Sequence, residues 1–373
     1  MVFSSRPRPR VANPLCCCEY IDKDGERNHI LACCCNCVEL DRAVDNLCCC
    51  RSERRPGCDR VISTVMDRMR IPWIGGAKQL SFDALLPMVL LPCLFGFGAL
   101  GLSCTVLVFF SMPLLILQLH RVYFRNIPNT KFFCSWTYTS LALIFIIYEL
   151  LVVPFLEISS EENWVFIGIS ALSLLSLYKV QTLKQPQSQL DVECAGTNLQ
   201  SSKVINACDG CGTFLLPRMA HCNTCQKCIP KRELHCLWFG CCIGSHNLLW
   251  FLVCLLSLSI SLLYSSNLIM TTVCRPYRVW GSLLLPEDCS EVYYEFRFAV
   301  CFVSGLYSLV MAVLPVFALL RQCWMVSLGI TGSEWRTMPL THILRLGVTA
   351  HRPHSRGLVM NWYYLFACQN MNN

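Results

Sequence analysis

Long apolar segments alternate with polar ones along most of this chain, and the apolar segments predict membrane-spanning helices. The run from Ala84 to Leu119 contains no charged residue and is too long for a single span of about 20 residues. It therefore predicts two helices joined by a turn near Gly96–Gly101, because glycine permits a sharp change of chain direction. One long tilted helix is the alternative.

Four more apolar segments follow along the chain. They lie near Phe132–Phe155, Trp164–Tyr178, Leu249–Thr271 and Phe298–Leu320. Together with the first run they predict an α-helical polytopic membrane protein with about six transmembrane helices. The composition agrees, because 54% of the residues are hydrophobic and only 15% are charged. Soluble domains carry roughly 25% charged residues.

The distribution of charge predicts the orientation of these spans. Basic segments at 120–131, 179–184 and 321–356 fall on one side of a six-span arrangement, and the acidic or mixed loops at 156–163 and 279–295 fall on the other. Lys and Arg favour the cytosolic side. Both termini and the polar segment before the fifth span are therefore expected in the cytosol.

The net charge of +7 is spread along the chain without a basic stripe. A nucleic-acid partner is therefore not expected.

The polar segment between the fourth and fifth spans is rich in cysteine and histidine at metal-ligand spacing. Nine thiol or imidazole positions lie in this segment when Cys241 is set aside. Zn²⁺ takes four such ligands when it is structural, so two ions use eight positions and one thiol is left over. That thiol is a candidate nucleophile, and an ordinary zinc finger with an incidental free cysteine is the alternative. The positions are Cys208, Cys211, His221, Cys222, Cys225, Cys228, His235, Cys236 and Cys242.

This pattern resembles the DHHC family of protein S-palmitoyltransferases, in which two zinc-bound hairpins surround an Asp-His-His-Cys signature. The resemblance implies one zinc on Cys208, Cys211, His221 and Cys228, and another on Cys222, Cys225, His235 and Cys242. Cys236 then falls on the acyl-accepting cysteine. Further positions match the family around this core: Arg218, Trp238, Gly244, Asn247, Phe251, Thr331, Glu334 and Asn361. Segments 15–22 and 70–73 resemble the N-terminal region of one member of the series.

The signature itself departs from the family. Glu233 replaces the Asp, and Leu234 replaces the His that deprotonates the cysteine in the family. Leucine cannot accept a proton. Elsewhere Gly240 replaces an Asn near the cysteine, and Gly332 replaces the second Thr of a Thr-Thr-x-Glu motif after the last span.

Two functional outcomes follow from these departures. In the first, Cys236 still takes a fatty acyl group from acyl-CoA and passes it to membrane-proximal cysteines of substrate proteins. The zinc centres, Lys231 and Arg232 would lower its pKa, and Glu233 would accept its proton. In the second, the chain is a pseudoenzyme that acts as a zinc-stabilised membrane scaffold or binding platform. Lys231, Arg232 and Arg218 are candidate ligands for the CoA phosphates, with surface charge or lipid headgroup contact as the alternative.

The resemblance implies the following organisation: a cytosolic cysteine-rich N-terminal region at 1–80, spans 1–4 at 84–179, the double-zinc domain at 180–248, spans 5 and 6 at 249–320, and a cytosolic tail at 321–373. The expected location is the endomembrane system, with the Golgi or endoplasmic reticulum as candidates, and the expected partners are membrane lipid and substrate proteins. The sequence leaves the oligomeric state open.

Three smaller features complete the expectations. The N-terminal cysteine runs are candidates for S-acylation, metal binding or inert thiols. Cys274 and Cys289 lie on the predicted luminal side, where a disulfide between them is compatible with the compartment. His246 is a candidate substitute base, and an interfacial histidine is the alternative.

Overall fold

The chain is described by a computed structural model that is mostly helical. The described residues lie in 82–119, 130–155, 158–183, 218–280, 283–337 and 355–370, with shorter pieces within 16–29, 67–79 and 208–211. The cysteine runs at 33–37 and 48–50 lie outside the described residues, as does most of the basic segment at 120–131.

Residues Met1–Leu86 form one compact unit and residues Pro87–Asn373 form another. The described part of the first unit consists of two small antiparallel hairpins. The guanidinium of Arg70 stacks over the buried ring of Tyr20 at 4.1 Å from its centroid, which joins the two hairpins. The strands are β1 (Glu19–Ile21), β2 (Arg27–His29), β3 (Arg70–Ile71) and β4 (Lys78–Gln79), paired β1–β2 and β3–β4.

The first apolar run forms two helices, α1 (Phe82–Gly98) and α2 (Leu102–Leu119). The chain turns between them, and the Thr105 hydroxyl donates a hydrogen bond to the Gly98 carbonyl at 2.7 Å across the turn. The prediction of two helices with a glycine-containing turn is therefore confirmed, and the single long helix is not formed.

Within the part of the chain that the structure describes, four helices are long and apolar enough to cross a membrane. The first of them, α3, continues beyond Ile147 through a π-helical turn at Tyr148–Val152. The chain is therefore a membrane protein with at least these four candidate spans, and crossing by α1 and α2 stays a prediction. The four helices are α3 (Phe132–Ile147), α4 (Ser160–Thr182), α5 (Leu248–Val273) and α6 (Phe296–Leu328).

Local sequence explains where two of these helices begin and end. Ser159 and Glu162 form a capping box at the start of α4, in which each side chain accepts a hydrogen bond from the other residue's backbone N–H. Helix α6 is terminated by Gly329, whose φ of 70° places it in the left-handed region that favours glycine.

Helix α5 packs between α4 and α6 in the centre of the second unit. Small residues allow the close approach of α5 and α6: a Cβ on Gly305 would lie 3.1 Å from the side chains of Ile269 and Met270. The Ser266 hydroxyl donates to the Gly305 carbonyl at 2.8 Å, which satisfies a polar group inside the bundle.

A β-hairpin, formed by β9 (Arg275–Trp280) and β10 (Leu283–Asp288), joins α5 to α6. Cys274 and Cys289 form a disulfide at its base, with their Cα atoms 4.5 Å apart. The sequence allowed this pairing, and the structure contains it.

The remaining elements surround the cysteine cluster. Four short strands follow α4: β5 (Met219–Cys222), β6 (Lys227–Pro230), β7 (Leu234–Cys236) and β8 (Cys241–Ile243). Two helices follow α6: α7 (Gly332–Thr337) and α8 (Leu358–Asn370). An apolar cluster joins the β7–β8 hairpin to α4 and α5, and its buried members include Leu177, Val180, Phe239, Ile243, Leu248 and Phe251.

Candidate zinc centres and thiol site

Two β-hairpins present the cysteine and histidine side chains in opposed pairs. In the β5–β6 hairpin His221 lies directly opposite Cys228, and in the β7–β8 hairpin His235 lies directly opposite Cys242. Directly opposed residues in an antiparallel pair point to the same face of the sheet. Each hairpin therefore supplies one histidine and one cysteine to a common point, and a separate Cys-x-x-Cys pair completes each set.

The structure brings together the same two quartets that the family resemblance implies. Within each quartet the ligand atoms all lie within 4.8 Å of one another. The first is Cys208, Cys211, His221 and Cys228; the second is Cys222, Cys225, His235 and Cys242.

Alternation along strand β5 explains why the quartets interleave. His221 and Cys222 are consecutive, so their side chains point to opposite faces of the strand. His221 joins Cys228 of its own hairpin, whereas Cys222 and Cys225 join His235 of the next hairpin. The two hairpins are consequently held to each other through the second quartet.

The atoms in each quartet have the chemistry and spacing of a structural zinc site. The sulfur atoms of Cys211 and Cys228 are 3.2 Å apart, and Nδ1 of His235 lies 3.4 Å from the sulfur atoms of both Cys225 and Cys242. Tetrahedral Zn²⁺ with bonds of about 2.0–2.3 Å requires ligand separations of roughly 3.3–3.8 Å. These residues therefore fit Zn²⁺.

Cys236 lies in the same strand as His235 but faces the other way. Its side chain packs with Leu234 against the apolar cluster of α4 and α5. Burial raises the pKa of the Cys236 thiol to about 11, although the backbone amides of Phe239 and Trp238 oppose that rise. The expected lowering of this pKa is not found.

Bound zinc would not reverse this direction by electrostatics. Three thiolates and a neutral imidazole would give each Zn²⁺ centre a net negative charge, which would disfavour a further thiolate nearby. A base beside this thiol would speed its conversion to the nucleophilic thiolate.

The two residues before His235 show why the base is missing. Leu234 occupies the face of β7 that carries Cys236, so an apolar side chain stands where a proton acceptor would have to reach the thiol. Glu233 directly precedes Leu234 in the chain, so its side chain points to the face of the strand opposite Leu234 and Cys236. Its carboxylate accepts a hydrogen bond from the Gly332 N–H at 2.8 Å.

Glu233 thus connects the signature to α7. Only 4% of its surface is exposed. Burial raises the pKa of the Glu233 carboxyl. The nearby Gln322 amide opposes that rise, although its position relative to Glu233 does not meet the geometry of a hydrogen bond. The Glu233 carbonyl also accepts a hydrogen bond from the Arg336 guanidinium at 3.2 Å. These contacts assign Glu233 to holding α7 on the hairpin.

Gly332 is required for this close approach. A Cβ at that position would overlap the carbonyl oxygen of Glu233. The replacement of a family threonine by glycine and the replacement of a family aspartate by glutamate therefore meet at one contact.

Arg218 and Glu334 form the second connection between the hairpins and the segment after α6. The Arg218 guanidinium makes two hydrogen bonds to the carboxylate, at 2.8 and 2.9 Å, and a third to the Gly329 carbonyl at 3.0 Å. Glu334 also accepts the Thr331 N–H at 2.8 Å. Arg218 is thus committed to internal contacts, which do not support its predicted role as a CoA phosphate ligand.

The other two predicted cations differ from each other. Arg232 donates to the His221 carbonyl at 2.7 Å, while its buried Nε has no partner within the described structure. Lys231 occupies a turn with a φ of 44°. The phosphate-binding role of Lys231 stays a prediction. The candidate substitute base, His246, lies beside Gly244, and burial lowers its pKa to about 4.

Sequence analysis missed the side chains that hold the loop after Cys236. Gln181 donates to the Phe239 carbonyl at 2.9 Å, and Thr137 donates to the Trp238 carbonyl at 3.1 Å. Both residues lie near the ends of apolar helices. A polar side chain in such a position is the only signal that could have indicated them.

Two matched asparagines also have structural roles. Asn247 is buried, donates to the Val180 and Cys242 carbonyls at 3.1 and 3.0 Å, and accepts the Gly244 N–H at 3.0 Å. It thereby ties α4 to the β7–β8 hairpin. Asn361 of α8 donates to the Ser327 carbonyl at 3.1 Å, which attaches α8 to the end of α6.

These two quartets, the intervening thiol and the connection to the segment after α6 correspond to a known domain. Residues 201–338 match the family model described as DHHC palmitoyltransferase. Over this segment the chain is therefore similar to the DHHC palmitoyltransferases.

Similarity to individual members extends over nearly the whole chain. The chain is 28% identical to palmitoyltransferase ZDHHC23-B of Danio rerio, over 97% of this chain and 95% of that protein. It is 29% identical to palmitoyltransferase ZDHHC23 of Homo sapiens, over 86% of this chain and 89% of that protein. Palmitoyltransferase erf2 of Schizosaccharomyces pombe is 30% identical over 36% of this chain and 38% of its own length. The expected resemblance to the twenty-third member of the series is confirmed.

Proposed function

We propose that this chain is a protein S-acyltransferase that carries a fatty acyl group on Cys236. The observation that supports this most strongly is the position of Cys236 in β7. It occupies the strand face away from the zinc ligands and packs against the apolar cluster formed by α4 and α5. The family match over residues 201–338 and the relatives named palmitoyltransferases support the same activity.

The reaction has two steps. The Cys236 sulfur attacks the thioester carbonyl of a fatty acyl-CoA, the new S–C bond forms, and CoA leaves as its thiolate. A cysteine of a substrate protein then attacks the acyl-enzyme and releases Cys236. Apolar helices adjoin the thiol, and burial of the acyl chain beside them contributes about 0.8 kcal/mol for each CH₂.

Proton removal from Cys236 limits the first step. Leu234 cannot act as the base, and Glu233 is engaged with Gly332 on the other face of the strand. Loss of a general base costs about 10²–10⁴-fold in rate. Cysteine tolerates this loss better than serine or threonine does, because a fraction is thiolate without assistance. The proposed enzyme is therefore slow, and water takes up the proton from Cys236.

The two zinc ions have a structural role in this proposal. Each would be held by four protein ligands, which would leave no position for a water or a substrate oxygen. His235 and Cys242 would hold one ion across the β7–β8 hairpin, and the hairpin orients Cys236.

We propose the following placement in the membrane. Six helices, α1 to α6, cross the bilayer, and the zinc centres, N-terminus and C-terminus lie in the cytosol. The disulfide between Cys274 and Cys289 supports a luminal position for the hairpin between α5 and α6, since disulfides persist in oxidising compartments. The substrates are proteins with cysteines near the membrane surface, and the host membrane is one of the endomembrane system.

Acyl loading of the purified chain tests this proposal. The full-length protein in detergent is incubated with palmitoyl-CoA, and hydroxylamine-sensitive acyl groups are located by mass spectrometry. We expect slow formation of a thioester on Cys236 and its loss in Cys236→Ser. Zinc content is measured for both proteins, so that unfolding of the variant is recognised. Equal labelling of both zinc-loaded proteins would contradict the assignment of Cys236.

No thioester on the zinc-loaded wild type would support the alternative function, a zinc-stabilised membrane scaffold. The observation that favours that alternative is the apolar Leu234 side chain on the strand face that carries Cys236.

A further inference from the structure

A second thiol stands opposite Cys236 in the β7–β8 hairpin. The register of the two strands pairs Cys236 with Cys241, and the neighbouring pair of the same hairpin is His235 with Cys242, which are zinc-ligand positions. Residues directly opposed in antiparallel strands have Cβ atoms about 4.5–5.5 Å apart and point to the same face. The sulfur atoms of these two residues are therefore close neighbours.

Alternation along both strands separates this thiol pair from the zinc ligands. His235 and Cys242 point to one face and join the second quartet, while Cys236 and Cys241 point to the other face. Both thiols pack against the same apolar cluster, and the Cys241 sulfur lies 4.0 Å from the Val180 carbonyl. Cys241 is therefore not a zinc ligand, and it shares the environment in which an acyl chain on Cys236 would lie.

The surroundings of the pair keep the two sulfur atoms together. The four residues between them form a tight loop, in which the Gly240 N–H donates to the Leu237 carbonyl at 3.2 Å. Gln181 and Thr137 hold the loop through the Phe239 and Trp238 carbonyls. A fixed loop raises the effective concentration of one thiol beside the other, which is the condition for fast intramolecular transfer.

We infer that Cys241 is a second acyl-carrying residue, to which the acyl group on Cys236 passes. This inference rests on the proposed acyltransferase function. The Cys241 sulfur attacks the carbonyl carbon of the Cys236 thioester and forms a new S–C bond. The S–C bond at Cys236 breaks, its sulfur leaves with the bonding electrons, and it takes up the proton that Cys241 loses.

The exchange consumes nothing and is reversible, because one thioester replaces another. It returns Cys236 to the free thiol while the acyl chain stays against α4 and α5. A second molecule of acyl-CoA can then load Cys236, so that the hairpin stores an acyl group between encounters with slow-reacting substrates.

Site-resolved acyl loading tests this inference. Purified full-length protein is given palmitoyl-CoA, quenched in acid at successive times, digested and analysed by tandem mass spectrometry that separates thioesters at the two cysteines. We expect label first at Cys236 and later at Cys241. Cys241→Ser should retain the Cys236 thioester, and Cys236→Ser should lose the Cys241 thioester as well, because Cys241 is loaded only through its partner.

Cys134 provides the matched control. Its side chain on helix α3 lies close to Gly240, but it is not paired with Cys236 in the hairpin. Cys134→Ser should leave the label at Cys236 and Cys241 unchanged. Transfer of the label to Cys134 in the wild type would contradict the role of Cys241.

The outcomes separate this inference from the proposed function. A thioester on Cys236 alone contradicts the transfer and leaves the acyltransferase function standing. A thioester on neither cysteine contradicts both. Label on Cys241 in Cys236→Ser, formed as fast as in the wild type, contradicts the transfer because Cys241 would then react directly with acyl-CoA. Each variant must retain its zinc, and Cys241→Ala replaces Cys241→Ser if that variant does not.

Discussion

The two faces of the β7–β8 hairpin differ in how closely they keep the pattern of the family. The face that carries His235 and Cys242 keeps both of its zinc-ligand positions. Their ligand atoms and those of Cys222 and Cys225 lie within 4.8 Å of one another, close enough to share one ion. The opposite face keeps Cys236 but carries Leu234 in place of a base. Side chains alternate between the two faces of each strand. A substitution on the face that carries Cys236 therefore leaves the zinc ligands on the other face in place.

Substitutions of zinc ligands should have the largest effects, because structural zinc contributes about 10–16 kcal/mol in small zinc domains. Cys222→Ser and Cys242→Ser should each remove the same ion, and the double variant should lose no further zinc. Cys228→Ser combined with Cys242→Ser should lose both ions. Metal analysis of the purified proteins measures this difference.

Cys254→Ser, which changes a buried cysteine outside both quartets, is the control. Loss of both ions in Cys222→Ser and retention of one in the Cys228–Cys242 double variant would contradict the interleaved assignment.

Gly332→Thr should have the next largest effect. The new side chain overlaps the Glu233 carbonyl and breaks the hydrogen bond between Glu233 and the Gly332 N–H. Overpacking of this kind costs about 1–3 kcal/mol. Thermal unfolding in detergent should show a lower midpoint than in Gly168→Ala, which adds the same kind of atom where no neighbour lies within 4 Å. Equal midpoints for the two variants would show that α7 is not held as described.

Arg218→Lys should have a smaller effect, because lysine cannot make the paired hydrogen bonds that Arg218 makes to Glu334. Lysine keeps the positive charge, so the loss should be close to that of one hydrogen bond, about 0.5–1.5 kcal/mol. Arg275→Lys changes an exposed pair with Glu291 and should cost about 0–1 kcal/mol. Chemical denaturation of both variants gives the comparison. If Arg218→Lys instead leaves stability unchanged and weakens acyl-CoA binding, its predicted phosphate role is restored.

The sequence was informative where chemistry follows from local pattern. Ligand spacing indicated two zinc sites, and apolar length indicated the helices α3 to α6. The interleaving of the quartets needed the family resemblance, because spacing alone does not show which face of β5 carries Cys222.

Contacts between residues far apart in the chain could not be predicted from the sequence. Arg218 and Glu334 are 116 residues apart, and Glu233 and Gly332 are 99 apart. The sequence predicts CoA phosphate binding for Arg218 and proton transfer for Glu233, and these roles stay predictions. The structure adds the contacts of Arg218 with Glu334 and of Glu233 with Gly332, which form because the chain after α6 returns to the hairpins.

Cys236 is placed for acyl transfer, but the face of β7 that carries it has Leu234 where a base would stand. The rate of acyl loading on Cys236 in Leu234→His beside the wild type, at equal zinc content, measures what this base contributes. We expect slow loading by the wild type and a rate about 10²–10⁴-fold higher in Leu234→His, with little change in Leu234→Asn, which is polar but not basic. Loading by Leu234→His alone would make the natural chain a pseudoenzyme, and equal rates for wild type and Leu234→His would contradict this expectation.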